Sequence, residues 1–373
     1  MNLYYYTSTD TMRYILGNGD IYATNIRYMN DSEEYTNGLN EIKVLMKNDK
    51  LVKKWLKENG RNANNISEIK NVFTDDNLKK NKADREFYSI SVCEKNDLLS
   101  QWAIYAKEAG VSIQMNFEEG KRYNFSTKNC NEDKDKKARW SLKPETVHYF
   151  TKDSMEDNVY KNEANKILTQ LYGKKNVDLT EDINDRWRYT SVYVKRYDFY
   201  QEAERRIVFQ PKKSVEVPKI MYRQDKNVLK PYLDIECENG WPIQQIMIGP
   251  GSNQNVVYNS VIHFLDNAIV KNGIVTLTEY IERIQSYFQK CKEDLKDISL
   301  YKQLENAFEH PQILENIGEM YVVQRILGSQ VQLLCEEICD SVTVSEETKQ
   351  YIKNNYFSRC GIIVLKSSIP YIF

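Results

Sequence analysis

The chain of 373 residues has few histidines, no paired cysteines and no long hydrophobic run. Its three histidines, His148, His263 and His310, lie far apart without the spacing of metal ligands, so a zinc site of the usual kinds is not expected. The seven cysteines are an odd number without a C-x-x-C pair, which is typical of reduced thiols rather than a disulfide framework. No stretch approaches about 18 apolar residues, so a membrane-spanning helix is not expected.

Neither sign of charge is in excess. There are 52 basic and 53 acidic residues, so the net charge gives no basic field of the kind that drives non-specific nucleic-acid binding, although a local basic patch remains possible. The opening residues Met1 to Tyr6 show no basic segment followed by an apolar one, and we expect a cytoplasmic protein. A hydrophobic content of 41% is enough to form a core.

The hydrophobic pattern predicts an α+β fold built on a mixed sheet. Runs with strand character occur at residues 3–7, 20–24, 87–92, 111–117, 146–150, 202–209 and 243–248. Apolar residues at helical spacing lie between them, as at 9–16 and 98–107. Strands and helices therefore alternate along the first two thirds of the chain.

A long helical pattern comes near the end of the chain. Apolar residues recur at helical spacing from Thr276 to Phe357, and Gly361 to Leu365 then has the pattern of a strand. That strand needs a sheet to pair with, so the chain is expected to return to its first domain. We predict a mixed core domain of residues 1–270 plus 360–373 and a helical insertion at 271–359, through which a protein partner could bind.

Three segments place polar side chains where strands would normally bury apolar ones. They are Tyr5-Tyr6-Thr7 with the later Asn30 to Glu34, Ser89-Ile90-Ser91 with Trp102 and Tyr105, and Glu202-Ala203-Glu204-Arg205-Arg206. On a strand, residues two apart share a face, so Glu202, Glu204 and Arg206 are expected to project together. Polar faces from three strands could line one cleft.

Each of these segments also has a purely structural interpretation. Glu202 and Glu204 could form a solvated strand edge with an ion pair to Arg206. The two serines could bond to strand ends, and the tyrosines and Trp102 could be core aromatics with satisfied polar groups. The sequence leaves both interpretations open.

The order of several short motifs resembles the bacterial family called domain of unknown function 2971. The residues that carry the resemblance are Leu3 to Ser8, Ile15-Leu16 leading to Ile21 to Thr24, Asn30 to Glu34, Ser89 to Ser91, Trp102 and Tyr105, Lys195 and Phe199, Glu202 to Glu204 with Arg206, Ile246 to Gly249 and Ser367 to Tyr371. The resemblance covers most of residues 1–265 and the last dozen. Ser32, where the family usually has proline, and the long helical segment depart from its pattern.

A second, looser resemblance indicates a function. An aromatic residue, one intervening residue and Thr7 on the first strand, a middle Ser-x-Ser and a late Glu-x-Glu look like the NAD site of ADP-ribosyltransferases. The resemblance implies that fold, with NAD as substrate and Glu204 as the catalytic glutamate. It implies cofactor contacts at Tyr5, Thr7, Asn30, Asp31, Ser89, Ser91, Trp102, Tyr105 and Arg206. Tyr5 stands where the nearest pattern has histidine.

The residue types suit that chemistry. Cleavage of the nicotinamide–ribose bond passes through an oxocarbenium-like state, which a nearby carboxylate such as Glu204 stabilises. Glu202 could activate or position the acceptor, and Trp102 or Tyr105 could stack on the nicotinamide. We expect an NAD-using enzyme, of the kind found among bacterial toxins and phage-defence effectors, that modifies protein or nucleic acid.

Two alternatives remain open. One is a non-catalytic module that binds a nucleotide or nucleic acid, with a helical segment that recruits a partner. The other, ranked last, is a metal-dependent nuclease that uses Asp31, Glu34, Glu202 and Glu204. Consumption of NAD that is insensitive to chelators would separate the first hypothesis from both.

Overall fold

A computed structural model of the chain describes residues 1–29, 33–60, 73–74, 86–107, 109–127, 137–151, 153, 156–172, 183–211, 217–267, 277–309, 320–358 and 360–370. The described helices are α1 (Thr9–Asn18), α2 (Glu34–Met46), α3 (Asp49–Glu58), α4 (Leu99–Tyr105), α5 (Asp157–Tyr172), α6 (Ile183–Ser191), α7 (Gln254–Asn267), α8 (Leu277–Phe288), α9 (Lys292–Leu295), α10 (Ser299–Glu309), α11 (Met320–Asp340) and α12 (Glu346–Asn354). None of these helices has the length and apolar character that crossing a bilayer requires.

The strands are β1 (Asn2–Thr7), β2 (Asp20–Asn25), β3 (Tyr88–Cys93), β4 (Val111–Asn116), β5 (Tyr123–Thr127), β6 (Arg139–Leu142), β7 (Glu145–Thr146), β8 (His148–Tyr149), β9 (Val194–Lys195), β10 (Glu204–Phe209), β11 (Met221–Asp225), β12 (Val228–Cys237), β13 (Ile243–Ile248), β14 (Asn355–Phe357) and β15 (Ile363–Lys366). Helices and mixed strands together give the α+β class that the pattern predicts.

The chain forms two compact units, and each consists of separate stretches. Unit 1 contains residues 1–20, 93–119 and 237–373, and unit 2 contains residues 21–92 and 120–236. The segment predicted as a helical insertion, 271–359, falls within unit 1.

The strands of unit 1 pair in the order β14-β15-β13-β4-β1, with mixed directions. β4 pairs antiparallel with β1 and β13, whereas β15 runs parallel to β13. The predicted return of the chain to a sheet after the helices is therefore confirmed. Parallel pairing needs a long crossover, which α7 to α12 supply.

The helices of unit 1 contain their own apolar core. Tyr280, Ile284 and Tyr287 of α8 face Leu327, Val331 and Leu334 of α11, all almost fully buried. The prediction of helix over 276–357 is wrong at its end, because residues 355–357 form β14 against β15. A three-residue strand is too short to give a period-two pattern.

Unit 2 consists of strands and a helical layer. Its strands follow the order β3-β2-β12-β5-β6, and β10 pairs with β3 and β7. β8 and β9 form a short parallel pair, with Tyr149 opposite Lys195. The helices α2, α3, α5 and α6 enclose a core in which Ile42, Leu168 and Trp187 are fully buried.

One glycine lets α2 approach β9 closely. A methyl group at Gly38 would overlap the Ser191 carbonyl oxygen and lie 2.9 Å from the Val194 carbonyl oxygen. We therefore expect Gly38→Ala to lower the free energy of unfolding by about 1–3 kcal/mol, because backbone atoms would have to move. Urea unfolding followed by circular dichroism measures this.

Gly17 in α1 provides the matched control. A methyl group there meets no described atom within 4 Å, and alanine favours a helix over glycine by up to about 1 kcal/mol. Gly17→Ala should therefore be neutral or stabilising. Equal stability of the two variants would contradict the close approach of α2 to β9.

Candidate functional site

Five charged side chains meet inside unit 2, and we call them the charged cluster: Glu34, Lys195, Glu202, Glu204 and Arg206. They come from the first turn of α2, from β9, from a 3₁₀ helix at Tyr197–Glu202 and from β10. Their side chains are 6%, 7%, 14%, 9% and 1% exposed, respectively. Glu202 is therefore the most accessible member.

Arg206 is the most deeply buried member, and all three nitrogens of its guanidinium donate hydrogen bonds. Nε donates to Glu204 Oε1 at 2.7 Å and Nη2 donates to Glu204 Oε2 at 2.8 Å. Nη2 also donates to Glu34, and Nη1 donates to the Val192 carbonyl oxygen at 2.5 Å. Although burial would lower the pKa of Arg206, Glu204 and Glu34 raise it well above its usual value. This fork-shaped bonding favours a positioning role for Arg206.

Lys195 joins the three carboxylates. Its Nζ lies 2.6 Å from Glu202, 3.4 Å from Glu34 and 3.5 Å from Glu204, and 5.0 Å from the centre of the Phe199 ring. Burial would lower the pKa of Lys195, but Glu204 and Glu34 raise it above its ordinary value. Lys195 therefore remains a buried cation.

The two neighbouring glutamates have opposite electrostatic environments. Burial alone would raise the pKa of Glu204, but Arg206 and Lys195 hold it at about 2. Burial also raises the pKa of Glu202, and there Lys195 offsets only part of the effect. With every group ionised, three carboxylates and two cations leave one net negative charge, and Glu202 holds its charge less readily than Glu204.

The backbone at Ala203 explains how both glutamates reach Lys195. Ala203 has φ 44° and ψ 51°, in the left-handed region, and it separates the 3₁₀ helix from β10. The predicted strand over 202–209 therefore begins at Glu204, and Glu202 does not share a strand face with Glu204 and Arg206. The three side chains meet nevertheless, through Lys195 and the turn at Ala203.

Aromatic side chains adjoin the charged cluster. The Tyr149 hydroxyl accepts a hydrogen bond from the Glu204 backbone N–H at 2.8 Å, and burial raises the pKa of Tyr149. Tyr197 and Tyr200 stack with ring centres 5.1 Å apart at 11°, on the same 3₁₀ helix as Glu202. Tyr200, two residues before Glu202 on this helix, is 49% exposed, so part of its ring faces solvent.

The two predicted serines lie on β3, which pairs with β10. Ser91 helps to lower the pKa of Glu204, although its hydroxyl makes no hydrogen bond of normal geometry with a described residue. Ser89 is 3% exposed, lies opposite Thr24, and its hydroxyl likewise has no partner among the described residues. Ser91 thus belongs beside the charged cluster.

The remaining predicted site residues belong to unit 1 or lie outside the described residues. Tyr5 and Thr7 are on β1, half-buried and buried. Trp102 is a core residue that donates to Asp97 at 2.9 Å and packs edge-on against Tyr6, whereas Tyr105 is 40% exposed. Asn30 and Asp31 lie outside the described residues.

The same geometry bears on the metal-site hypothesis. Glu34, Glu202 and Glu204 do come together, as that hypothesis requires, but Lys195 and Arg206 occupy the space between them. Among the described residues, no group of three or more His, Cys, Asp or Glu side chains could hold a metal ion.

Sequence reasoning missed part of the charged cluster. Lys195 appeared only as a family motif residue, and Tyr149 and Tyr197 were not singled out. The helix-to-strand junction near Tyr200 was predicted as a point where side chains converge. The available signal was that Lys195 directly follows the apolar run from Val192 to Val194. A lysine that is buried with such a run normally requires a carboxylate partner.

No family model matches the chain, and neither a curated protein nor a solved structure matches it.

Proposed function

We propose that unit 2 carries the catalytic site of an ADP-ribosyltransferase-like enzyme that takes NAD as substrate. The observation that supports it best is the charged cluster, which is buried, holds one net negative charge and is most accessible at Glu202. A positive charge that develops on a bound ribose beside Glu202 would be stabilised there, because a partly buried site weakens screening by water. We also propose that the fold resembles that of ADP-ribosyltransferases.

The reaction divides the work between the two glutamates. The bond between ribose C1′ and the nicotinamide nitrogen breaks, its electron pair leaves with nicotinamide, and an acceptor oxygen or nitrogen bonds to C1′. Glu202 takes the proton of the acceptor, and its raised pKa suits a general base. Glu204, held by Arg206 and kept ionised by its low pKa, fixes Lys195 and contributes negative charge behind Glu202.

Neighbouring residues of unit 2 supply the contacts a dinucleotide would need. The exposed face of Tyr200 could stack on a nicotinamide or adenine ring, since such rings prefer aromatic faces. Ser89 and Ser91 could bond to ribose or phosphate oxygens, and Ser89 currently lacks a partner among the described residues. The acceptor would be a protein or a nucleic acid, as expected of a toxin or a phage-defence effector.

We expect purified protein to bind NAD in preference to ATP and to release nicotinamide slowly even without an acceptor, because water can replace it. Calorimetry with both nucleotides tests binding, and chromatography of nicotinamide with and without EDTA tests cleavage. Tight binding of ATP with no response to NAD would contradict the proposal. Binding of NAD without any nicotinamide release would favour the alternative, a nucleotide-binding module.

A further inference from the structure

Unit 1 contains a cavity that the proposed NAD chemistry does not use. It has a volume of about 460 Å³ and lies between α7, α8, α11, α12 and β14. Its size falls within the range of small-molecule sites in proteins. All of its lining residues belong to unit 1, between Tyr258 and Phe357.

Aromatic rings form the deep part of the cavity. Tyr258, Tyr287, Ile352 and Phe357 are buried and line it, and the rings of Tyr287 and Phe357 lie 5.3 Å apart. A hydrocarbon or aromatic body placed here would lose contact with water, which favours binding. The faces of such rings also attract positive charge.

A hydrogen-bonded chain fixes a polar group in the wall. Gln332 donates to the Tyr356 hydroxyl at 2.5 Å, and Tyr356 donates to Asp266 at 2.5 Å. The Asp266 carboxylate therefore lies directly behind a lining hydroxyl and adds negative potential on that side.

The mouth of the cavity carries more negative than positive charge. Glu336 and Asp340 are exposed one turn apart on α11, and Lys353 is exposed on α12. Two carboxylates against one ammonium group leave one net negative charge among the lining residues. An anion would therefore be disfavoured and a cation favoured.

We propose that this cavity binds a small organic cation, an amine or quaternary ammonium compound with an apolar or aromatic body. The apolar body would pack against the lining rings of Tyr258, Tyr287 and Phe357, and the charge would lie near Glu336 and Asp340. This inference is independent of the proposed NAD chemistry in unit 2.

The test uses the full chain and three probes of similar size: benzyltrimethylammonium, benzyl alcohol and phenylacetate. The cation should raise the melting temperature and give a calorimetric binding isotherm, the neutral probe should bind about tenfold more weakly, and the anion should bind least. Tighter binding of phenylacetate, or no binding of benzyltrimethylammonium at millimolar concentration, would overturn the proposal.

Two further measurements locate the bound cation. Cys339 lines the cavity and is half-buried, so saturating benzyltrimethylammonium should slow its alkylation by N-ethylmaleimide at least threefold. The double variant Glu336→Gln with Asp340→Asn should weaken binding about tenfold. Glu337→Gln, an exposed neighbour outside the lining, should leave binding unchanged. Equal weakening by Glu337→Gln, or unprotected Cys339, would overturn the assignment to this cavity.

Discussion

Arg206→Met should lower the free energy of unfolding by about 3–5 kcal/mol, the usual effect of removing one partner from a buried ion pair. Arg206 is 1% exposed and donates to Glu204, to Glu34 and to the Val192 carbonyl oxygen. Without it, three carboxylates would share Lys195 alone. Methionine retains the apolar stem, so lost packing contributes little to the change.

The effect should depend on pH in a definite direction. In the parent protein the pKa of Glu204 lies at about 2, below its usual 4.5, so this group stabilises the fold above pH 4.5 and loses that contribution as the pH falls toward 2. In Arg206→Met, the carboxylates can take up protons as the pH falls, which relieves their repulsion. The stability difference from the parent should therefore be largest at neutral pH and smaller in acid.

Urea unfolding at neutral and acid pH measures both effects. Arg196→Met is the control, because Arg196 pairs with Asp198 on the surface, with side chains 52% and 56% exposed. Exposed pairs of this kind contribute at most about 1 kcal/mol. If Arg206→Met were no less stable than Arg196→Met, or if its deficit grew in acid, the cluster would not stabilise unit 2 as described.

Hydrophobic periodicity was sufficient to predict much of the fold. The sequence from Thr9 to Leu16 places Met12, Ile15 and Leu16 on one face, and these residues are buried in α1. The helical pattern near the end of the chain likewise corresponds to α8, α10 and α11, whose stripes pack against one another. Local pattern works here because each element buries one face.

The polar parts of unit 2 were harder to predict. β11 was missed because residues 222–229 are all exposed and no face of β11 alternates. Its partner β12 was missed as well, although Leu233 and Ile235 are buried. β9 has two residues, too few for any pattern. Because Lys195 lies on β9, the short length of this strand also prevented the prediction of a central residue of the candidate site.

The site residues themselves were predicted in part. The Glu-x-Glu motif and Arg206 were predicted as site residues because they are charged at strand positions that are normally apolar. The structure buries Glu204 and Arg206, as such positions require. The geometry between Glu202 and Glu204 could not be predicted, because it depends on the left-handed backbone of Ala203. Alanine adopts that conformation only where surrounding structure imposes it.

That geometry also changes which glutamate is expected to face the substrate. The resemblance to ADP-ribosyltransferases assigns the catalytic role to Glu204, but two bonds to Arg206 engage both of its oxygens. The carboxylate of Glu202 accepts a hydrogen bond from Lys195 at 2.6 Å and is more exposed than that of Glu204. We therefore propose Glu202 as the carboxylate nearest the ribose and Glu204 as the group that positions it.

Glu202→Gln should reduce the release of nicotinamide from NAD at least about 100-fold, comparable to the loss of one electrostatic group from a preorganised site. Stability should hardly change, because burial raises the pKa of Glu202 and the folded state therefore already disfavours its charge. For the same reason, the parent's activity should fall in acid through a pKa above 4.5, and this dependence should be missing in the residual activity of the variant. Single-turnover assays across pH, with thermal unfolding of each sample, measure all three quantities.

Glu204→Gln separates the two roles. Because its carboxylate bonds to Arg206 through both oxygens, this variant should lose stability as well as activity, and its melting temperature should fall by several degrees more than that of Glu202→Gln. If Glu202→Gln released nicotinamide at the parent rate while Glu204→Gln remained stable and inactive, the reactive carboxylate would be Glu204. If both variants kept the parent rate, the NAD cleavage measured would arise outside the charged cluster, whose carboxylates would then serve only to balance Lys195 and Arg206 in the core of unit 2.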